Sequence, residues 1–352
     1  MDPDIEVDVD LSPFLIRYKS GRVRRLMGTP RVDAGADAAT GVTSKDVAID
    51  AAGGGLTARL FVPSNVLGTS TRLPLLVYFH GGAFALHSAF SAAHSRFVNA
   101  LVSAARVVAV SVEYRLAPEH PLPAAYDDAW AALRWAVASC AAAGSGSRTG
   151  EPWLSAHGDA TRLLVAGDSA GANMAHNVAL RAGRGGGGLP GVARIEGIAL
   201  LHPYFRGREL VPSEGTDPRS PERERAERWW AFVCAGRYGF DHPFLNPLAM
   251  PAAEWAALGC RRALVAVAEM DSMSDRGRRY VEALRGGAWQ GEEAVLYETP
   301  CEGHVFFLRK SDGRDRAKED MIAAVASFVA LSGAEARLGR PSRRSSGCDA
   351  KL

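Results

Sequence analysis

The pentapeptide Gly167-Asp168-Ser169-Ala170-Gly171 places a serine between glycines two residues away on either side. An apolar run, Arg162–Ala166, enters it, and an amphipathic stretch, Ala170–Arg181, leaves it. A strand-to-helix turn of that tightness needs small residues at both flanks, and it exposes the hydroxyl. The helix N-terminus beside it favours developing negative charge. The chemistry expected of Ser169 is nucleophilic attack; the plain alternative is a serine that only caps a helix. Upstream, the run Leu75–Phe79 ends in His80-Gly81-Gly82-Ala83-Phe84. Glycines there let backbone N–H groups approach a tetrahedral oxyanion. The expected donors are Gly82 and Ala83, with Ala170 from the elbow as the third.

A nucleophilic serine needs a base and an acid that orients it, which in hydrolases of this plan follow in the order Ser, Asp or Glu, His. His304, in Cys301-Glu302-Gly303-His304-Val305-Phe306, lies just past the strand-like Ala294–Glu298. That loop is expected to carry imidazole over the serine. Asp271 and Asp275 both follow the apolar run Ala263–Ala268. Asp271 comes first off the strand end and is expected to orient His304. Asp275 suits a helix first turn, and Glu269 is a third candidate.

Apolar β-branched runs alternate with helical periodicities along the chain. Leu75–Phe79, Val107–Tyr114, Arg162–Ala166, Ile195–Leu201, Ala263–Ala268 and Ala294–Glu298 read as strands. Ala92–Ala105, Ala124–Ala142, Ala170–Arg181, Asp275–Leu284 and Ala317–Leu331 read as helices. Such alternation implies a mostly parallel sheet with right-handed crossovers. Val47–Asp50 and Thr57–Val62 flank a Gly-rich turn and read as a hairpin. Residues 1–45 and about 203–258 fall outside the alternation, and Glu222–Ala235 in the second is a candidate helix carrying Trp229 and Trp230. Both segments are expected to cap the carboxyl edge of the sheet, where open α/β sheets bind ligands. The catalytic domain is expected over 46–332, with an Arg/Ser-rich mobile tail over 333–352.

The chain has 352 residues, with 41 basic against 39 acidic side chains and a net charge of +2. No clustered basic face suggests nucleic acid. The five cysteines are widely spaced with no CxxC, which argues against a disulfide scaffold and a zinc site. The acidic start, Asp2, Asp4, Glu6, Asp8 and Asp10, resembles neither a secretory signal nor a transit peptide, and no run is long enough to span a bilayer. The cytoplasm is the expected compartment. Gly183-x-Gly185-x-x-Gly188 matches a dinucleotide fingerprint only formally, since it follows a helix and not a strand. No cofactor and no metal are expected.

Several longer motifs in one order, HGGAF, VEYRLAPEHPLPAAYDDAW, GDSAGANMAHNVALRAG, HPYF, NPLA, DSMSDRGRRY and EGHVFFL, follow PFLIRYKSGRVRRL. Together they resemble the plant carboxylesterase family, in the hormone-sensitive-lipase-like branch of the α/β-hydrolases, from about Ser12 to about Val329. The resemblance implies an eight-stranded, mostly parallel sheet with flanking helices and a helical cap. It implies a triad at Ser169, Asp271 and His304, an oxyanion loop at Gly81, Gly82 and Ala83, and a small ester as substrate. Phe84, Phe205, Trp229 and Val305 are expected to line an apolar pocket, in a monomer or homodimer. Ala83 stands where the branch usually has a third glycine; a positive φ there would strain it. The same family holds gibberellin receptors, which lack the histidine, and a dehydratase of hydroxylated isoflavanones.

Overall fold

The computed structural model describes residues 2–49, 55–142, 150–184, 188–190, 194–310 and 313–331. The expected tail over 333–352, most of the Gly-rich turn before Thr57, and the middle of the Gly183–Gly188 run lie outside the described residues.

Three short strands open the chain: β1 (Val7–Leu11), β2 (Leu15–Tyr18) and β3 (Val23–Arg25), paired antiparallel in a sheet of their own. The main sheet comprises β4 (Ala36–Asp37), β5 (Val42–Ala48), β6 (Thr57–Pro63), β7 (Leu73–Phe79), β8 (Val108–Glu113), β9 (Gly158–Asp168), β10 (Ile195–Leu201), β11 (Cys260–Ala268) and β12 (Glu293–Thr299). Their spatial order is β12-β11-β10-β9-β7-β8-β6-β5-β4. The sheet is therefore nine-stranded, a correction to the expected eight. The extra member is the two-residue β4, which pairs through Ala36↔Thr43 and Asp37↔Val42 and is too short to show periodicity. From β8 to β12 the pairings are parallel, and β6, β5 and β4 are antiparallel. Sheet residues thus begin ahead of residue 46.

The helices are α1 (Ala92–Ala105), α2 (Ala124–Ala141), α3 (Pro152–His157), α4 (Ala170–Gly183), α5 (Pro221–Val233), α6 (Ala252–Ala256), α7 (Ser274–Gly286) and α8 (Arg316–Ala330). Central strands are buried on both faces, which is why β7 reads LPLLVYF with all seven residues inside. Their side chains still alternate. Leu75, Val77 and Phe79 join the core under α2 and α4, while Leu76 and Tyr78 join the core under α1 and α8. Crossover helices on both faces leave the carboxyl ends of β7, β9, β10, β11 and β12 along one edge. Residues 80, 169, 202, 271 and 304 all emerge there.

Two segments cover that edge. Helix α5 is capped by Ser220, whose side chain accepts from Arg223 N–H, with Pro221 as its first residue. It buries Trp229, Trp230 and Val233. Phe14, between β1 and β2, meets Trp229 edge-to-face at 5.3 Å between ring centroids. The cover is thus part sheet and part helix, where a helical cap was expected. Arg25 of β3 ties it down, donating to the Ala85 carbonyl (2.7 Å) and to both oxygens of Glu119 (2.8 Å each).

Candidate active site

Ser169 follows the last residue of β9 and precedes the first of α4, with φ 52° and ψ −116°. That conformation is sterically costly for a residue bearing a Cβ, and its neighbours hold it there. Ser169 N–H donates to the Leu201 carbonyl (2.8 Å), and its own carbonyl accepts from Tyr204 N–H (3.0 Å). The motif's second glycine is explained by contact: a Cβ on Gly171 would collide with the Phe79 carbonyl. The strand β7 and helix α4 approach that closely only because the side chain is missing.

His304 Nε2 lies 2.9 Å from Ser169 Oγ, and His304 Nδ1 lies 2.6 Å from Asp271 Oδ2. A carboxylate can only accept, so Nδ1 carries the proton and Nε2 faces the serine hydroxyl as acceptor. Asp271 is buried, and its other oxygen accepts from Met273 N–H at 3.0 Å. Burial pushes its carboxyl up, but the bond and charge of His304 outweigh this and hold it below the ordinary value. Asp275 is placed elsewhere: it pairs with Arg278 (2.6 Å) and accepts from Ser213 N–H (2.7 Å). Glu269 accepts from Cys301 N–H (2.8 Å), and Met270 N–H donates to the Glu302 carbonyl (2.9 Å). These two bonds fasten the acid loop to the base loop.

The expected oxyanion loop is clamped peptide by peptide. His80 Nδ1–H donates to the Gly81 carbonyl at 2.7 Å. Across a trans peptide the N–H points away from the C=O, so this fixes the direction of the Gly82 N–H. The Gly82 carbonyl accepts from both Ala85 N–H (3.0 Å) and Leu86 N–H (2.9 Å), which fixes the Ala83 N–H in the same way. Neither N–H has a partner among the described residues, and Ala170 is the first residue of α4, where N–H groups lack intrahelical acceptors. Gly81 is a correction: its N–H donates to Asp168 Oδ1 (3.0 Å) and is not free for an oxyanion. Ala83 has φ 49°, the strained value that its departure from glycine raised as a condition.

Asp168 is buried beneath the loop. It accepts from Tyr78 Oη–H (2.6 Å) and Gly81 N–H, and His94 Nε2 stands 3.4 Å away. Burial pushes its carboxyl up, yet the charge and hydrogen bond of His94, then Tyr78 and His80, bring it to about 2. Sequence reasoning passed over His202, the first residue beyond β10. Its Nδ1 accepts from Val305 N–H (2.9 Å), so it holds the base loop, and burial with the nearby His304 brings it down to about 4. His202, Asp271 and His304 converge closely enough to invite a metal. The imidazole lone pairs are already engaged, that of His202 by Val305 N–H and that of His304 by Ser169, and His304 Nδ1–H occupies Asp271 Oδ2.

These groups open into a cavity of about 660 Å³. Phe14, Met27, Trp229, Phe240, Met273, Val305 and Leu308 give it apolar walls, and Gly82, Ala83, Ser169 and His304 form its floor. Two expected wall residues are elsewhere. Phe84 is fully buried against Tyr126, Tyr204 and Trp230, and Phe205 stacks on Tyr280 at 5.2 Å. Their neighbour Tyr204 reaches the cavity instead. One wall is polar: Glu214 is shared between Arg206 (3.1 Å) and Arg276 (2.9 Å).

The sheet order and the serine elbow define a hydrolase of the α/β class, and the family model described as alpha/beta hydrolase fold matches residues 76–308. Among curated proteins the chain is 43% identical over 310 residues to tuliposide A-converting enzyme 1, chloroplastic, of Tulipa gesneriana (88% of this chain, 75% of that one). It is 42% identical over 330 residues to 2-hydroxyisoflavanone dehydratase of Glycyrrhiza echinata, and 38% identical over 324 to probable carboxylesterase 2 of Arabidopsis thaliana. Each of these two alignments covers 92% of this chain and 96% of the relative. The chain belongs to the α/β-hydrolase-fold family, in its plant carboxylesterase branch.

Proposed function

We propose that the protein is a serine carboxylesterase acting on small, mostly apolar esters through an acyl-enzyme. The observation that carries this reading is His304 bridging Ser169 (2.9 Å) and Asp271 (2.6 Å) beneath an apolar cavity. His304 takes the Ser169 proton as Oγ attacks the ester carbonyl carbon. The resulting oxyanion receives the N–H groups of Gly82, Ala83 and Ala170. Collapse expels the alcohol, which leaves with the proton from His304. Water, deprotonated by the same imidazole, then releases the acid. Asp271 keeps the Nδ1–H tautomer and stabilises the imidazolium while it lasts. The test is turnover of p-nitrophenyl butyrate by the native chain and by Ser169→Ala, with fluorophosphonate labelling mapped by mass spectrometry. Label on Ser169 and loss of turnover in the variant are expected; turnover that survives Ser169→Ala overturns the reading.

The dehydratase among the relatives supports a second reading, elimination on a hydroxylated phenolic substrate at the same site. Product analysis on a 2-hydroxyisoflavanone separates the two. Among the described residues no helix is long and apolar enough to cross a membrane. We keep the cytoplasm as the proposed compartment; a fluorescent fusion of the full chain distinguishes a diffuse signal from a plastid one, the location in the tulip relative's name.

A further inference from the structure

His87 has no part in the mechanism above, yet it stands at the reacting centre. Its φ is 66°, in the left-handed region that a few per cent of non-glycine residues take, histidine among the types enriched there. The ring lies against the oxyanion loop, with Cδ2 3.0 Å from where a Cβ on Gly82 would stand. It lines the cavity together with Gly82, Ala83 and Ser169. Behind it His94 packs edge-on, 5.4 Å between ring centroids.

The two ring nitrogens differ. Nδ1 is sealed from solvent and has no hydrogen-bond partner. Nε2 is not among the sealed atoms and has no partner among the described residues, so it opens on the cavity. Burial and then His94 lower the imidazole's proton affinity, against the opposing charge of Asp168, which leaves the ring neutral at pH 7. A neutral imidazole has one proton to place. A buried N–H with no acceptor is rarer and costlier than a buried unfilled lone pair. The proton therefore sits on Nε2, and the cavity floor carries a fixed N–H donor beside the oxyanion hole.

We propose that His87 is a specificity-determining residue whose Nε2–H binds an oxygen carried by the substrate close to its ester carbonyl. The favoured esters then bear an ether or hydroxyl oxygen near the reacting carbon, on the acyl or the alcohol side. The ester class rests on the esterase reading; the donor itself does not. A hydrocarbon isostere would leave Nε2–H unpaired in a closed site, which sets the expected preference at about tenfold.

The test uses two ester pairs that differ by one oxygen for one methylene: p-nitrophenyl methoxyacetate against butyrate, and 2-methoxyethyl butyrate against butyl butyrate. Ratios of kcat/KM within each pair are compared across the native chain, His87→Gly and His87→Asn. Comparing ratios between proteins cancels the intrinsic reactivity of each ester. His87→Gly should lower the ether preference about tenfold in one pair, which also identifies the side that carries the oxygen. His87→Asn, which tolerates positive φ and keeps an N–H donor, should restore most of it. Ratios in both pairs within twofold of native in His87→Gly overturn the proposal. The same ratios are read as binding, by isothermal titration calorimetry, in Ser169→Ala and in Ser169→Ala with His87→Gly. If the native chain hydrolyses none of the esters, the esterase reading fails while this binding ratio still decides the role of His87.

Discussion

Trp229 Nε1–H donates to the Ala83 carbonyl at 3.0 Å. The bond joins the cover helix to the oxyanion loop across 146 residues of sequence. It holds the peptide that follows Ala83, while the Gly82 carbonyl clamp holds the one before. Replacing Trp229 with Phe keeps an aromatic ring against Phe14 and deletes only the donor. Turnover of p-nitrophenyl butyrate should fall on the order of tenfold, less than the ~10²–10³ typical of removing an oxyanion donor itself. Circular dichroism should show a native fold. Unchanged kcat in Trp229→Phe would mean that the loop keeps its shape without the cover helix.

The two aspartates after β11 should separate cleanly. Asp271→Asn removes the acceptor that sets the His304 tautomer, and kcat should drop by about 10³–10⁴. Asp275→Asn loses only a partly exposed pair with Arg278 and a bond from Ser213 N–H, and activity should stay within a few-fold. Steady-state kinetics on both variants checks this, and equal losses would reassign the acid.

Neighbouring residues of the oxyanion loop should respond in opposite ways to small changes. Ala83, at φ 49°, gains conformational ease on replacement by glycine but frees the unfolded chain as well. The net change in stability for Ala83→Gly should be under ~1 kcal/mol. Gly82→Ala adds a Cβ at φ 118° that would collide with the Leu86 carbonyl. It should cost at least ~2 kcal/mol, in line with strain at a special backbone position and overpacking. Urea midpoints compare the two.

Acid should destabilise the fold well before the carboxylates titrate. Burial first of all pushes His80 and His176 down to about 3 and His202 to about 4. The folded chain keeps all three neutral, whereas the unfolded chain takes up protons near pH 6.5. Below that pH the unfolded state binds more protons, so stability is complete above pH 6.5 and falls as pH drops towards 4. The slope reaches ~1.4 kcal/mol per pH unit for each histidine and about 4 for the three. Asp168, held at about 2, adds to the loss as pH falls through that value. Denaturation series from pH 7.5 to 4.5 read the slope, and a flat profile would contradict the buried neutral histidines.

The three residues that meet at His304 were legible because each stands at a fixed distance from a strand end with a recognisable pattern. Asp271 was distinguishable from Asp275 by that distance alone. The pocket walls were not legible. Phe84 has φ 65°, which turns its ring into the core, and sequence carries no sign of that turn. Phe205 and Tyr204 are adjacent aromatics, and which one faces the cavity depends on how the chain leaves β10. Gly81 entered the expected oxyanion loop through the resemblance alone; a buried carboxylate 87 residues away claims its N–H. His202 could have been found, since it follows β10 directly, on the edge that already carried the serine and the acid. The edge strand Ala36–Asp37 gave no signal because two residues contain no period.

The residues proposed to do the chemistry hang from the ends of buried strands, while four apolar wall residues of the cavity above them come from two stretches of chain outside the main sheet. Phe14 and Met27 come from before the main sheet, and Trp229 and Phe240 from between β10 and β11. Selection can thus re-tailor what the cavity admits by altering those stretches, with the bond-breaking apparatus left untouched. Trp229 marks the boundary of that freedom, because it alone of the four wall residues is hydrogen-bonded to the loop where negative charge would gather.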